Sequence, residues 1–254
     1  MSLAAILGSA HDRPMLGARP LESVQVATRW GPVALHRLAP ERWVLFRHGL
    51  PHRLLPHQIP WRAQAAALAE VGCSALLVTS SCGVLDPDLP LFEPLVVGDL
   101  LMPDNRLPDG SACTLFDEPQ PGQGHLVVEE GLLSRALSDR LAELGGLSEH
   151  RVVFAYTPGP RTKTAAENRY WRQLGAQVNS MTLGPEVVLA NELGISTAAV
   201  AVGHKYSVPG WRSPLDQEAI AATLVRTRQA MDQLVLDFLE RAEPVPFANR
   251  LYRF

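Results

Sequence analysis

Short apolar runs bounded by Gly and Pro clusters alternate with stretches of helical period along most of the chain. Leu3 to Leu7 is a continuous apolar run that stops at Gly8-Ser9, the pattern of a buried strand ending in a turn. Val24 to Ala27, Val33 to Leu38 and Trp43 to Phe46 follow as short strands separated by Gly-Pro and Pro-Glu turns, and Ser74 to Val78 is a further buried strand. A helical period runs from Pro60 to Val71, with Ala63, Ala66, Leu68 and Val71 facing inward and Gly72 as the stop. A second helix spans Leu133 to Leu144, apolar at 133, 137, 141 and 144. Pro214 to Glu240 predicts a long amphipathic helix whose stripe of Ile220, Leu224, Met231, Val235 and Phe238 covers the sheet as scaffold.

The densest pattern lies between Arg151 and Gly194. Arg151 to Tyr156 is a β-branched and aromatic run that ends at Thr157-Pro158-Gly159-Pro160. Thr164 to Leu174 holds good helix formers, with apolar positions at Ala166, Tyr170, Trp171 and Leu174 before Gly175. Gln177 to Met181 is the next strand, and Pro185-Glu186 opens another helix, Pro suiting its first position and Glu its positive end. Ile195 to Val202 is then a strand ending in Gly203-His204-Lys205-Tyr206-Ser207. This alternation predicts an α/β fold, a single domain over residues 1–254 with a mixed, largely parallel central sheet flanked by helices. Ligands collect at the carboxyl ends of such strands, which directs attention to the loops at 157 to 164 and 180 to 184. Residues 84 to 124, rich in Pro, Asp and Gly, read as a long functional loop region with one short strand at Leu95 to Val97.

Composition narrows the partners. A formal net charge of −3 with no basic cluster argues against nucleic acid and anionic membrane, and favours a small molecule. Cys73, Cys82 and Cys113 have no paired spacing, so neither a disulfide framework nor a thiolate zinc site is expected, and a reducing cytoplasm suits them. No leader pattern opens the chain, and no stretch reaches the roughly 18 apolar residues of a membrane span, so a soluble, unprocessed chain is expected. His48, His52 and His57 lie close together, but Pro51 and Pro56 break any shared helix face, and no metal is expected. Arg47-His48 suits an anion better, the guanidinium as a bidentate fork with the imidazole donating beside it; a solvated surface pair is the competing reading. Gly8-Ser9, with backbone N–H groups and a hydroxyl, and Ser80-Ser81, with two hydroxyls, are strand-end turns of similar promise. Gly159 to Thr164 ends like a nucleotide-triphosphate loop but lacks the Gly before Lys163, and Pro160 removes an N–H.

GPRTKTAAENRYWRQLGAQVNSMTLGPEVVLANELGI, residues 159–195, resembles the signature segment of the trimeric purine nucleoside phosphorylase and methylthioadenosine phosphorylase family. In that family a Gly-Pro loop and helix precede a Gly-Ala strand, a Met-Ser/Thr turn and Pro-Glu. FRHGLPHRLLPHQIPWRA, residues 46–63, is similar to its Arg-His-Gly block, and Val78 to Gly83 and Gly8-Ser9-Ala10 match in the same order. The departures are Pro60-Trp61 for Asn-Tyr, Gln64 for a second Asn, Lys205 for an Asp or Asn, and Lys163 for a Glu or Ser. The resemblance implies Ser9, Arg47, His48 and Ser80 as phosphate contacts, and Ser81, Cys82, Gly83, Thr162, Lys163, Ser180, Met181, Thr182, Lys205 and Ser207 as nucleoside contacts. Lys205 and His48 are the implied catalytic groups. It further implies a homotrimer, singly or paired into a hexamer.

The expected activity is phosphorolysis of a purine nucleoside, with or without a 5′-methylthio group, to free base and sugar 1-phosphate. Inorganic phosphate is the co-substrate and no cofactor is expected. Lysine donates and cannot accept, so a 6-oxopurine is preferred. Arg47→Ala is expected to abolish cleavage with little loss of stability. A binding or regulatory protein on the same scaffold is the alternative; a nucleosidase using water is disfavoured by Arg47-His48.

Overall fold

The structure is a computed structural model that describes residues 1–11, 13–212 and 215–254. The strands in chain order are β1 (Ser2–Leu7), β2 (Met15–Leu16), β3 (Arg19–Pro20), β4 (Glu22–Val26), β5 (Val33–Ala39), β6 (Arg42–Phe46), β7 (Cys73–Val84), β8 (Pro94–Leu101), β9 (Gly124–Val127), β10 (Val152–Tyr156), β11 (Val178–Ser180), β12 (Ser196–Tyr206) and β13 (Arg250–Arg253). The helices are α1 (Trp61–Glu70), α2 (Arg135–Gly145), α3 (Ala165–Gln173), α4 (Gly184–Glu192) and α5 (Gln217–Arg241). Nine strands form one sheet in the order β11-β10-β8-β12-β7-β1-β6-β5-β4. Its centre, β12-β7-β1-β6, is parallel throughout, and such a sheet is buried on both faces. Leu3 to Leu7 and Ala75 to Val78 are accordingly buried without alternation.

β7 is much longer than Ser74 to Val78. Its first half lies between β1 and β12, while its end turns to pair antiparallel with β11 through Gly83 and Asn179. That extra pairing closes β7, β12, β8, β10 and β11 on themselves and lays the chain after Asn179 back alongside Ser80 to Cys82. Glycine at 83 is a packing requirement: a Cβ there would stand 2.2 Å from Ser207 Oγ and 3.1 Å from Asn179 Oδ1. Gly203 to Tyr206 likewise continue β12 instead of forming a loop.

Several helix limits follow their caps. Ser134 Oγ accepts from the Leu137 N–H at the start of α2, and Gly146, at φ 58°, ends it. Thr164 and Glu167 form a reciprocal capping box at the start of α3. Two expectations need correction. The segment 84 to 124 is largely loop around one strand, but that strand, β8, is longer than Leu95 to Val97 and sits inside the sheet, and Leu107, Cys113 and Leu115 pack on Val188 and Leu189 of α4. In α3, Tyr170 and Leu174 point outward, and the buried residue is Asn168, whose Oδ1 accepts from Asn179 Nδ2. The start expected for α5 at Pro214 lies outside the described residues; the described helix buries Met231, Leu234, Val235, Phe238 and Leu239 but leaves Leu224 partly exposed.

Candidate functional site

The carboxyl end of β1 delivers Gly8-Ser9, that of β6 delivers Arg47-His48, and the second half of β7 delivers Ser80 to Gly83. These ends are neighbours because β6, β1 and β7 run parallel. A cavity of about 230 Å³ opens there, lined by Gly8, Ala10, Ser80, Ser81, His204 and Arg228 among others. A larger hollow of about 870 Å³ beside α2, lined by residues such as Asp99, Glu130 and Arg151, shares none of these strand ends. The strand ends that meet it, not size, mark the smaller one.

Arg47 is the largest fully buried side chain, 1 % exposed. Its Nε and Nη2 donate to the two carboxylate oxygens of Glu186 at 2.6 and 2.8 Å, and Nη2 also donates to the Thr79 carbonyl at 2.8 Å. The expected bidentate grip on an anion is therefore taken up inside the protein. Only Nη1 is left toward the ligand side, 3.2 Å from where a Cβ on Gly8 would lie. Glu186 is held in turn by the Leu183 N–H at 2.8 Å, and Leu183 adopts φ 76°, a backbone region costing a branched residue about 1–3 kcal/mol. That turn brings Thr182 Oγ1 to 3.1 Å from Ser80 Oγ. Gln64 donates to the Arg47 carbonyl at 2.8 Å and so fixes the strand end.

His48 is buried and hydrogen-bonds through Nδ1 to the Leu54 carbonyl at 2.8 Å. A carbonyl only accepts, so Nδ1 carries the hydrogen. Burial, reinforced by the Arg47 charge, pushes its pKa down to about 4 against the opposing effect of that hydrogen bond. The imidazole is neutral at physiological pH and Nε2 is a bare acceptor. The expectation that it donates to an anion is thereby corrected: it can accept a hydrogen bond from a protonated phosphate oxygen. His52 stacks on it at 4.3 Å between ring centroids.

At the far end of β7, Lys205 lies opposite Gly83 on β12. Lys163, on the loop after β10, is half-buried; burial first, then the neighbouring Lys205, lowers its pKa, while Cys82 and Glu167 act in the other sense. Cys82 itself joins the core, and burial raises its thiol to about 12. Gly83 and Ser207 pack on each other. Thr162 is exposed, and its carbonyl accepts from its neighbour Arg161. Ser180 accepts through its carbonyl from Thr157 N–H and Oγ1, and Met181 Sδ lies 2.9 Å from a Cβ placed on Gly159, so the two strand ends are clamped together. Ser9 stands exposed at the β1 turn.

Sequence reasoning missed Glu186 as the partner of Arg47, although its position after Pro185 was plain. It missed as well the buried pair His11 Nε2 to Asp232 Oδ1 at 2.7 Å, which ties α5 to the cavity wall. No local signal announces either, because the partners are 139 and 221 residues apart.

An α/β sheet whose strand ends gather a glycine turn, a half-committed guanidinium and paired hydroxyls presents groups of the kind that bind small anions. Residues 2–240 match the model of the Phosphorylase superfamily, and the chain belongs to that family. It is 30% identical over 248 residues to an S-methyl-5′-thioadenosine phosphorylase of Thermofilum pendens, covering 94% of this chain and 91% of that one. It is 34% identical over 215 residues to a probable S-methyl-5′-thioinosine phosphorylase of Methanopyrus kandleri, covering 82% and 80%. Among solved structures, a methylthioadenosine phosphorylase from Schistosoma mansoni, in complex with tubercidin, superposes with a TM-score of 0.78 at 22% identity, covering 94% and 90%.

Proposed function

We propose that this chain is a purine nucleoside phosphorylase: phosphate attacks the anomeric carbon of a nucleoside, the bond to the base nitrogen breaks, and free base and sugar 1-phosphate leave. The observation that supports this reading is that Gly8 and Ser80 line one cavity, with Arg47 Nη1 packed against Gly8 and Thr182 Oγ1 paired with Ser80 Oγ. Those groups hold the phosphate, and the neutral Nε2 of His48 accepts a hydrogen bond from its remaining hydroxyl, which orients the attacking oxygen. Binding both reactants along β7 converts a bimolecular encounter into a directed one. Met181 and Ser180, at the neighbouring strand end, flank the sugar. Lys205, with Lys163 beside it, meets the base, where a cation stabilises the charge that develops as the base departs. Two donors and no acceptor favour a 6-oxopurine over a 6-aminopurine. Both relatives described above are named for 5′-methylthio nucleosides, which makes that 5′ group the first to try.

The reaction needs inorganic phosphate and no cofactor, and it fits purine salvage in a reducing cytoplasm, where the three free cysteines stay thiols. The outward Tyr170 and Leu174 of α3 and the family resemblance favour a homotrimer, alone or paired into a hexamer. The decisive experiment incubates inosine, adenosine and their 5′-methylthio forms with the protein, with and without phosphate, and measures free base and sugar 1-phosphate. Phosphate-dependent release of a purine is expected. Equal release in phosphate-free buffer refutes phosphorolysis in favour of hydrolysis, and no release from any member refutes turnover. Sedimentation of a fully active monomer refutes the trimer.

A further inference from the structure

The chain contains only two lysines, Lys163 and Lys205, among 23 basic residues; every other cation is arginine. They lie 42 positions apart in sequence, yet the fold brings both near Cys82 at the end of β7, Lys205 opposite Gly83 and Lys163 half-buried within reach of its charge. Neither makes an ion pair or hydrogen bond among the described residues. Arginine keeps its proton in any protein environment, whereas lysine releases it when crowded or buried. Arg47, by contrast, is already neutralised by Glu186, so the uncompensated positive charge of the site resides in this pair.

Ser80 at the phosphate end and Gly83 beside Lys205 are three strand residues apart, about 10 Å, the span from a phosphate at the anomeric carbon to the far edge of a purine. Two neighbouring ammonium groups whose nearest carboxylate, Glu167, is held by Arg161 repel one another, and an anionic ligand relieves that repulsion. We propose, resting on the phosphorylase reading, that Lys163 and Lys205 together select an acidic purine, a 2,6-dioxopurine of the xanthine type that carries negative charge near neutral pH. In turnover the electron pair of the broken bond passes to the base nitrogen, and Lys163 transfers its proton there. The base then leaves as a monoanion instead of a dianion, and the amine regains its proton from solvent. Besides each other, the groups facing Lys163 are the Cys82 thiol, which stays protonated, and Glu167, which is engaged by Arg161.

The test separates binding from turnover. Calorimetric titration of the intact protein with xanthine, hypoxanthine and adenine at pH 8 should rank xanthine tightest, by about tenfold or more over adenine, a difference of about 1.4 kcal/mol. The Lys163→Gln, Lys205→Gln double variant should lose that ranking, while Lys163→Arg, Lys205→Arg should retain it in binding but turn xanthosine over more slowly, lacking a proton to give. Both positions are exposed or half-buried, so thermal melts should match the parent. Adenine binding as tightly as xanthine, or an unchanged ranking in the double Gln variant, overturns the proposal. If xanthine is preferred but no nucleoside is cleaved with phosphate, the phosphorylase reading fails and the anionic pocket stands.

Discussion

Arg47→Ala removes a cation whose side chain is 1 % exposed and strands Glu186, 3 % exposed, without its two guanidinium hydrogen bonds. Losing one partner of a buried ion pair costs about 3–5 kcal/mol, because the remaining charge is neither paired nor hydrated. The whole native state is worth only about 5–15 kcal/mol. The sequence-based expectation of little effect on stability is thus reversed. With a urea slope of about 3 kcal/mol/M, the unfolding midpoint should fall by roughly 1–1.7 M. A stranded carboxylate can escape by taking up a proton, so the deficit should shrink as the pH is lowered. The measurement is urea unfolding of parent, Arg47→Ala and an Arg47→Met, Glu186→Leu pair at two pH values, with phosphate affinity measured beside it. The apolar pair should recover most of the stability while phosphate binding stays lost. A midpoint for Arg47→Ala within about 0.2 M of the parent refutes the argument that the ion pair holds up the site.

His48 ought to shape the acid side of the stability curve. Its folded pKa of about 4 lies below the ordinary 6.5, so the unfolded chain binds more protons between those values, and the stability present above pH 6.5 is lost as the pH falls toward 4. His48→Gln should flatten that part of the curve, and an unchanged slope would exclude His48 as the source. Gly83→Ala places a Cβ 2.2 Å from Ser207 Oγ and should cost about 1–3 kcal/mol in thermal unfolding; Ser207→Gly in the same chain should recover part of it, and wild-type stability of the single variant would contradict the close packing. Thr182→Val removes one hydroxyl of the pair at 3.1 Å and should raise KM for phosphate by roughly tenfold, the worth of one hydrogen bond, with KM for nucleoside little changed; the reverse pattern would move Thr182 to the nucleoside end.

Local pattern alone was enough for most of the elements. Leu3 to Leu7 is uniformly apolar because a parallel strand is buried on both faces, and α2 carries its own start at Ser134 and stop at Gly146, so both are legible without any distant partner. Gly8-Ser9, Arg47-His48 and Ser80 were likewise legible as strand-end chemistry, since the end of an apolar run announces where a strand stops. The length of β7 was not, because Ser80 to Val84 stay extended only through pairing with β11 and β12, and polar or glycine residues there give no strand signal. Nor was the state of the key side chains. Arg47 looks in sequence like a free fork for an anion, and only folding shows that Glu186, 139 residues away, fills two of its donors. His48 looks like a donor until burial and the Leu54 carbonyl make it an acceptor. Lys163 and Lys205 become a pair only when β12 is laid beside β7. Periodicity is written by neighbours a few residues apart, whereas charge, protonation and proximity are set by whatever the sheet brings within a few ångströms, and that is decided by tertiary structure.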